Sequence, residues 1–218
     1  MTPAQEPAPA PLGLRERKKQ QIREEIAAVA TGMFADRGFD EVTIAQVAEA
    51  VGVAKMTVTN HFPLKEDLVF DRRDHVIESL VRAMADREPG ESCLARARRY
   101  YTEALASGDP TLGHLGVQFA RMVEASPALV ARERQMHDER ELALAAELTT
   151  QMKAAPDDLT PRIVAAQIVG VVRVLYYEAR RRLLAGESRE DLEAHLAEAA
   201  TDAFGLLRID LEDYGARR

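Results

Sequence analysis

The chain has a single cysteine, Cys93, among 218 residues. That excludes an intramolecular disulfide and any zinc site built on several thiolates. It also lacks a run of apolar residues long enough to span a bilayer, and its start has no charged-then-apolar signal sequence, so a soluble cytoplasmic protein is expected. It contains no glycine-rich phosphate loop, no nucleophile elbow, and no Glu-x-x-His or His-Glu-x-x-His spacing, which removes the common hydrolase and metalloenzyme classes. Asp71 and His75 stand four apart, as do Glu133 and His137, but two ligands do not make a metal site, and helix ion pairs are the expected account of both. No cofactor is implied. Excess positive charge is missing too: 29 Lys plus Arg against 36 Asp plus Glu gives a net charge of −7. A surface of that sign does not adhere to nucleic acid as a whole, though it suits a small DNA-reading end on a larger acidic body. Finally, period-two alternation is absent, so the fold is expected to be all-α, with room for one large or two small domains.

What is present begins with a proline-studded stretch. Pro3, Pro7, Pro9 and Pro11 among Ala, Gln and Glu mark residues 1–14 as a disordered tail. Arg15, Arg17, Lys18, Lys19 and Arg23 follow, a basic cluster read as a phosphate-contacting arm, with a solvated helix start as the plain alternative. Ile22, Ile26, Val29, Ala30, Met33 and Phe34 then form a helical stripe, closed by Gly38 at a helix C-cap.

The most informative stretch is Thr43 to Leu68, TIAQVAEAVGVAKMTVTNHFPLKEDL. Thr43 is placed to N-cap a helix, with Gln46 completing a capping box. Ile44, Val47, Ala48 and Val51 share one side of that helix, and Gly52 supplies the backbone freedom for a sharp turn. Val53, Val58 and Phe62 resume the apolar pattern, while Lys55, Thr57, Thr59, Asn60 and His61 occupy the remaining surface. Two helices joined in this way, one held by its apolar side and offering donors and acceptors on the other, make a helix-turn-helix for the DNA major groove. A longer helix is expected from Lys65 to Asp86, with the domain boundary inside it.

The segment GVAKMTVTNHFPLKEDL resembles the recognition segment of the tetracycline-repressor (TetR) family of bacterial transcriptional regulators. The matching positions are Gly52, Val53, Phe62, Pro63, Lys65 and Glu66, with Phe34, Ala35, Gly38 and Phe39 upstream. The likeness is close over about 15–71 and extends beyond that only in length and helical content. The family usually carries tyrosine where this chain has Thr59, and often where it has His61. The resemblance implies a three-helix DNA-binding domain over 15–64, an effector-binding and dimerisation domain over 65–208, and a short C-terminal tail over 209–218. Lys55, Thr59 and Asn60 are then the expected base contacts, and Thr43, Thr57, His61 and Lys65 the expected phosphate contacts.

Beyond residue 90 the chain reads as helices with regular punctuation. Ser92 opens one, and Asp109-Pro110, Ser126-Pro127 and Thr160-Pro161 each set an N-cap residue before a proline. Gly186 and Ser188 mark the last boundary. Ile163 to Tyr177 is apolar on nearly every side and is expected to be buried all round, by its own core and by a second subunit packed through 160–185 and 188–207. The expected effector region draws on Gly113 to Met152 and its neighbours, with Tyr101, Gln118, Met122, His137, Arg140, Val172, Arg173 and Tyr176 as its candidates. Arg173, inside the most apolar run, needs a partner: either an acid such as Glu178 or Glu124, or an anionic ligand.

The reading is therefore of a transcriptional regulator and not an enzyme. What is known of the family implies a homodimer on a palindromic double-stranded operator, released when a small-molecule effector favours the wrong spacing of the two recognition helices. Two other readings stay open: a helical enzyme or carrier with a vestigial helix-turn-helix, and a regulator that answers to a partner protein.

Overall fold

A computed structural model describes residues 13–109, 112, 116–207, 211 and 213–216. Those residues form helices with no strand among them, as the missing period-two pattern predicts. The chain divides into two compact units, with the break between Val69 and Phe70. Most of the proline-rich stretch, Pro110 and Gly113 lie outside the described residues.

The first unit holds α1 (Leu14–Arg37), α2 (Ile44–Val51) and α3 (Lys55–His61), followed by a 3-10 turn over Lys65–Leu68. Thr43 caps α2 as expected: its hydroxyl accepts the Gln46 N–H at 3.3 Å, and the Gln46 side chain accepts the Thr43 N–H at 2.9 Å. Gly52 ends α2 in the left-handed region, at φ 76°. Ile26, Ala30 and Phe34 of α1, Val47 and Ala48 of α2, Val58 of α3 and Phe62 are all buried, with α1 packed on α2 and α2 on α3.

The second unit holds α4 (Arg73–Ala85), α5 (Cys93–Ala106), α6 (Val117–Ala125), α7 (Pro127–Met152), α8 (Thr160–Leu184) and α9 (Arg189–Leu206). Its core runs from Leu80 and Met84 through Leu94 and Ala97 to Leu144, Leu148, Ile168, Val172, Leu196 and Phe204. Helices α7 and α8 pack along much of their length, α4 lies on α7, and α9 lies on α5 and α8. No helix among the described residues is long and apolar enough to cross a membrane.

Three details depart from the sequence reading. The expected helix from Lys65 to Asp86 is broken at 69–72, because Leu68, Val69 and Phe70 are all buried. Three successive residues of one helix point about 100° apart, so a straight helix would turn one of them to solvent. The second concerns α8, where the capping acceptor is Asp158, whose Oδ1 takes the Thr160 N–H at 2.9 Å, and Thr160 is itself helical. Within one chain α8 leaves Ile163 54% exposed and Val174 63%, which is no departure, because the sequence reading gives part of that surface to a second subunit. The last lies near the C-terminus, where the described residues are docked. Leu211 is buried, the Tyr214 carbonyl accepts the Cys93 N–H at 2.9 Å, and the Gly215 carbonyl accepts from Arg87 at 3.2 Å.

Candidate nucleic-acid interface and effector site

In the first unit, α3 is held from beneath and from its C-terminal end. Val58 and Phe62 have no solvent access. The Arg23 guanidinium lies 4.2 Å over the Phe62 ring, and its Nη1 donates to the His61 carbonyl at 2.5 Å. A cation there complements the negative end of α3 and satisfies one of its last carbonyls. Arg23, read in the sequence as part of a phosphate arm, thus ties α1 to the reading helix. Lys65 is also engaged locally. Its Nζ donates to the Phe39 carbonyl at 2.6 Å and lies 4.1 Å over the Phe39 ring, with the Asp40 carbonyl at 3.5 Å. With three N–H donors and two carbonyls served, at most one donor remains for a phosphate.

The outward side of α3 carries the residues the pattern suggests. Lys55 and Asn60 are exposed, and Thr57, Thr59 and His61 are half-buried on the same short helix. Thr43 stands exposed at the start of α2 with its hydroxyl engaged in the capping box. The Thr59 hydroxyl donates back to the Met56 carbonyl at 3.1 Å and keeps its acceptor capacity for a base N–H donor. Partial burial, with Arg23 and Lys19 nearby, holds the His61 pKa below the ordinary histidine value. Its imidazole is therefore neutral at pH 7, a hydrogen-bonding group and not a cation. Met56 is missing from the set the sequence suggests. It is 68% exposed at the start of α3, an apolar surface of the kind a thymine methyl accepts. The signal for it was its place between Lys55 and Thr57 on a helix already read as a reader.

In the second unit the effector candidates separate into three groups. Gln118 is exposed and Met122 half-buried on α6. Val172 and Tyr101 are core: Tyr101 has no solvent access and packs on Phe204 of α9, at 6.3 Å between centroids. The remaining four, His137 and Arg140 of α7 with Arg173 and Tyr176 of α8, belong to one cluster of polar and aromatic groups between α7 and α8. His137 lies edge-to-face with Tyr176 and Tyr177, at 5.3 and 5.6 Å. The Tyr176 hydroxyl donates to Glu133 Oε1 at 2.8 Å, and Arg180 Nη1 donates to both Glu133 oxygens at 2.9 and 2.7 Å. Burial and the charge of Glu133 raise the Tyr176 pKa, so the phenol stays protonated. Burial, then the charges of Arg140, Arg173 and Arg180, push His137 down to about 3.

The expected pairings of this region are corrected. Glu178 is taken by Arg181 and Arg182, each at 2.7 Å, and Glu124 lies 4.0 Å from Arg180, so neither acid is the partner of Arg173. Arg180, two turns further along α8, holds the buried acid instead. His75 approaches Asp109 at 3.8 Å and not Asp71, because the chain at Asp71 is not helical. The Glu133 carboxylate faces Arg180 and Tyr176, leaving both nitrogens of His137 without a hydrogen bond among the described residues. Ser79, Glu133 and Arg180 complete the cluster with Tyr100, and those three were not singled out as effector contacts in the sequence. Glu133 and Arg180 each sit among charged neighbours at helical spacing, where a solvated face is the ordinary reading. No group of three metal-ligating side chains occurs among the described residues.

Comparison with known proteins connects the two units to a function. Residues 26–71 match the profile of bacterial regulatory proteins of the tetR family. The HTH-type transcriptional regulator TcmR of Streptomyces glaucescens is 30% identical over 216 residues, covering 96% of this chain and 93% of that protein. This chain belongs to the TetR family. It is thus a DNA-binding transcriptional regulator, and its family is one of regulators and not of enzymes. The transcriptional repressor Rv3405c of Mycobacterium tuberculosis is 33% identical over 123 residues, 53% of this regulator and 65% of its relative. A solved TetR-family regulator from Streptomyces coelicolor A3 superposes with a TM-score of 0.52 at 23% identity, over 88% of this chain and 99% of that one, a likeness of fold.

Proposed function

We propose that this regulator is a cytoplasmic homodimeric repressor, released from a palindromic operator by a small molecule bound in the second unit. The observation that carries the DNA half is the exposed polar side of α3, set on a core of Val47, Val58 and Phe62 and clamped by Arg23. Lys55, Thr59 and Asn60 read bases, while Thr43, Thr57, His61 and the remaining donor of Lys65 position the backbone.

Supporting the dimer are Ile163 and Val174, eleven residues apart and so three turns along the same side of α8, both exposed within one chain. Leu206 stands exposed at the end of α9, and Ala199 and Ala203 are half-buried small residues that allow close helix crossing. A two-fold pairing through α8 and α9 would cover all five. The effector half rests on the cluster of His137, Arg140, Arg173 and Tyr176, with Tyr101, Gln118, Met122 and Val172 as the further candidates. An effector that favours one of two dimer conformers by a few kcal/mol suffices for release.

Two measurements test this reading. Sedimentation of the pure protein at micromolar concentration gives a dimer that Ala203→Glu converts to monomer. Selection from a randomised duplex library returns an inverted repeat with half-sites about one helical turn apart. A wild-type monomer, or binding with no sequence preference, would remove the proposal.

A further inference from the structure

Four arginines of the second unit are buried, and two of them meet a carboxylate. Arg96 reaches Glu103 at 3.2 Å and Arg132 reaches Glu139 at 3.6 Å. Arg87 donates to the carbonyls of Met84 and Gly215, with its Nε left unpartnered. Arg140 differs. It is 1% exposed, and among the described residues it meets only two neutral hydroxyls, Tyr100 at 3.2 Å and Ser79 at 3.5 Å. Its Nε has no partner. The two hydroxyls are already bonded to each other at 2.7 Å, so they do not need the guanidinium. A buried cation without an anion is a costly arrangement, and folded proteins keep such a group only where something else meets the charge.

One turn before Arg140 on α7, His137 is 5% exposed, and both of its ring nitrogens are buried and unsatisfied. The same helix face thus presents an unmatched guanidinium and an unmatched imidazole. Arg173 and Arg180 add positive charge around the imidazole, and the nearby acid, Glu133, is already held by Arg180 and Tyr176. The local balance is positive, and the unused hydrogen-bonding groups are specific. Arg140 offers N–H donors to an anion, while a neutral imidazole offers one donor and one acceptor.

We infer that Arg140 and His137 form the binding point for a hydroxylated organic acid, whose carboxylate takes the Arg140 guanidinium and whose hydroxyl pairs with His137. Tyr176 and Tyr177, edge-to-face with His137, give the body of that molecule an aromatic wall. The inference names the chemical class of the effector, and so it rests on the reading of the second unit as an effector domain.

The test uses the full-length protein and three probes, namely 3-hydroxy-2-naphthoate, its neutral carboxamide, and 2-naphthoate, which lacks the hydroxyl. At about 1 mM, the hydroxy-acid raises the melting temperature by about 2–4 °C, 2-naphthoate by less, and the carboxamide least. Arg140→Met abolishes the preference for acid over amide, and without ligand it melts no lower than wild type, because an unmatched buried charge has been removed. His137→Phe keeps the ring packing and abolishes the preference for hydroxy-acid over 2-naphthoate. Should Arg140→Met fail to fold, Arg140→Lys, which keeps the charge and loses the fork, weakens the hydroxy-acid response by about tenfold in concentration. Equal shifts from acid and amide, no shift from any probe, or an Arg140→Met protein that folds but melts several degrees below wild type would each overturn the inference. Operator binding is measured on the same wild-type sample. Its loss would discredit the regulator reading alone, while intact operator binding with no response to the acid would discredit only the anion site.

Discussion

The reading unit and the body bury different things. In the first unit the solvent-free side chains are apolar, among them Ile26, Phe34, Val47, Val58 and Phe62, with Asp67 the buried exception. Its cations, Arg23 and Lys65, sit half-buried on aromatic rings and donate to carbonyls. The body buries Arg96, Arg132, Glu133, His137 and Arg140 beside its aliphatic core. Burying ionisable groups is expensive, and a pair of them adds little stability over an apolar replacement. A domain built only to hold a recognition helix has no need of them. On the proposed reading of the body as an effector domain, unmatched charges and donors give a ligand something to satisfy.

The sharpest test of that contrast removes one anchor from each unit. Phe62→Ala should cost about 3–5 kcal/mol, from lost burial and the cavity left beneath α3. Glu133→Ala should cost a similar 3–5 kcal/mol for a different reason, by leaving Arg180 and the Tyr176 hydroxyl unmatched. Denaturant unfolding gives both numbers. The double change Glu133→Leu with Arg180→Met should recover most of the body's loss, and if it does not, the body's charges are structural and the comparison fails.

The body should also be the acid-sensitive unit. His137 has its folded pKa lowered to about 3 from an ordinary value near 6.5. Between those values the unfolded chain binds the proton and the folded chain refuses it, so stability falls as pH drops through the window. The slope from this one group is about 1.4 kcal/mol per pH unit. Melting curves from pH 7 to pH 4 measure it, and His137→Phe should flatten the profile. An unchanged slope in that variant would move the sensitivity to other groups.

Smaller effects belong to the reading unit's surface. Asn60→Ala should weaken operator binding by about 1–3 kcal/mol and relax base preference at one position, with no change in melting temperature. Lys65→Ala should weaken all sequences alike and also lower the melting temperature, since it releases the Phe39 and Asp40 carbonyls. Thr43→Ala should cost about 1 kcal/mol through the lost cap, read by the same denaturant titration.

The sequence by itself determined what is local or periodic. The capping box at Thr43 and Gln46, the turn at Gly52, the all-helical body and the caps at Ser92 and Ser188 all follow from short-range chemistry that neighbours along the chain decide. The outward set on α3 was legible for the same reason, because a seven-residue helix with one buried position, Val58, leaves its remaining surface defined. Tertiary structure alone decided where the charges meet. Spacing along α8 offered Glu178 to Arg173, yet Glu178 turns to Arg181 and Arg182, while Arg180 crosses to Glu133 on α7. Likewise Tyr100 and Tyr101 are adjacent in sequence, but α5 turns one toward Arg140 and the other toward Phe204. Ion pairs and unmatched buried groups depend on which helix faces which. That choice is made by packing over distances that no local pattern encodes.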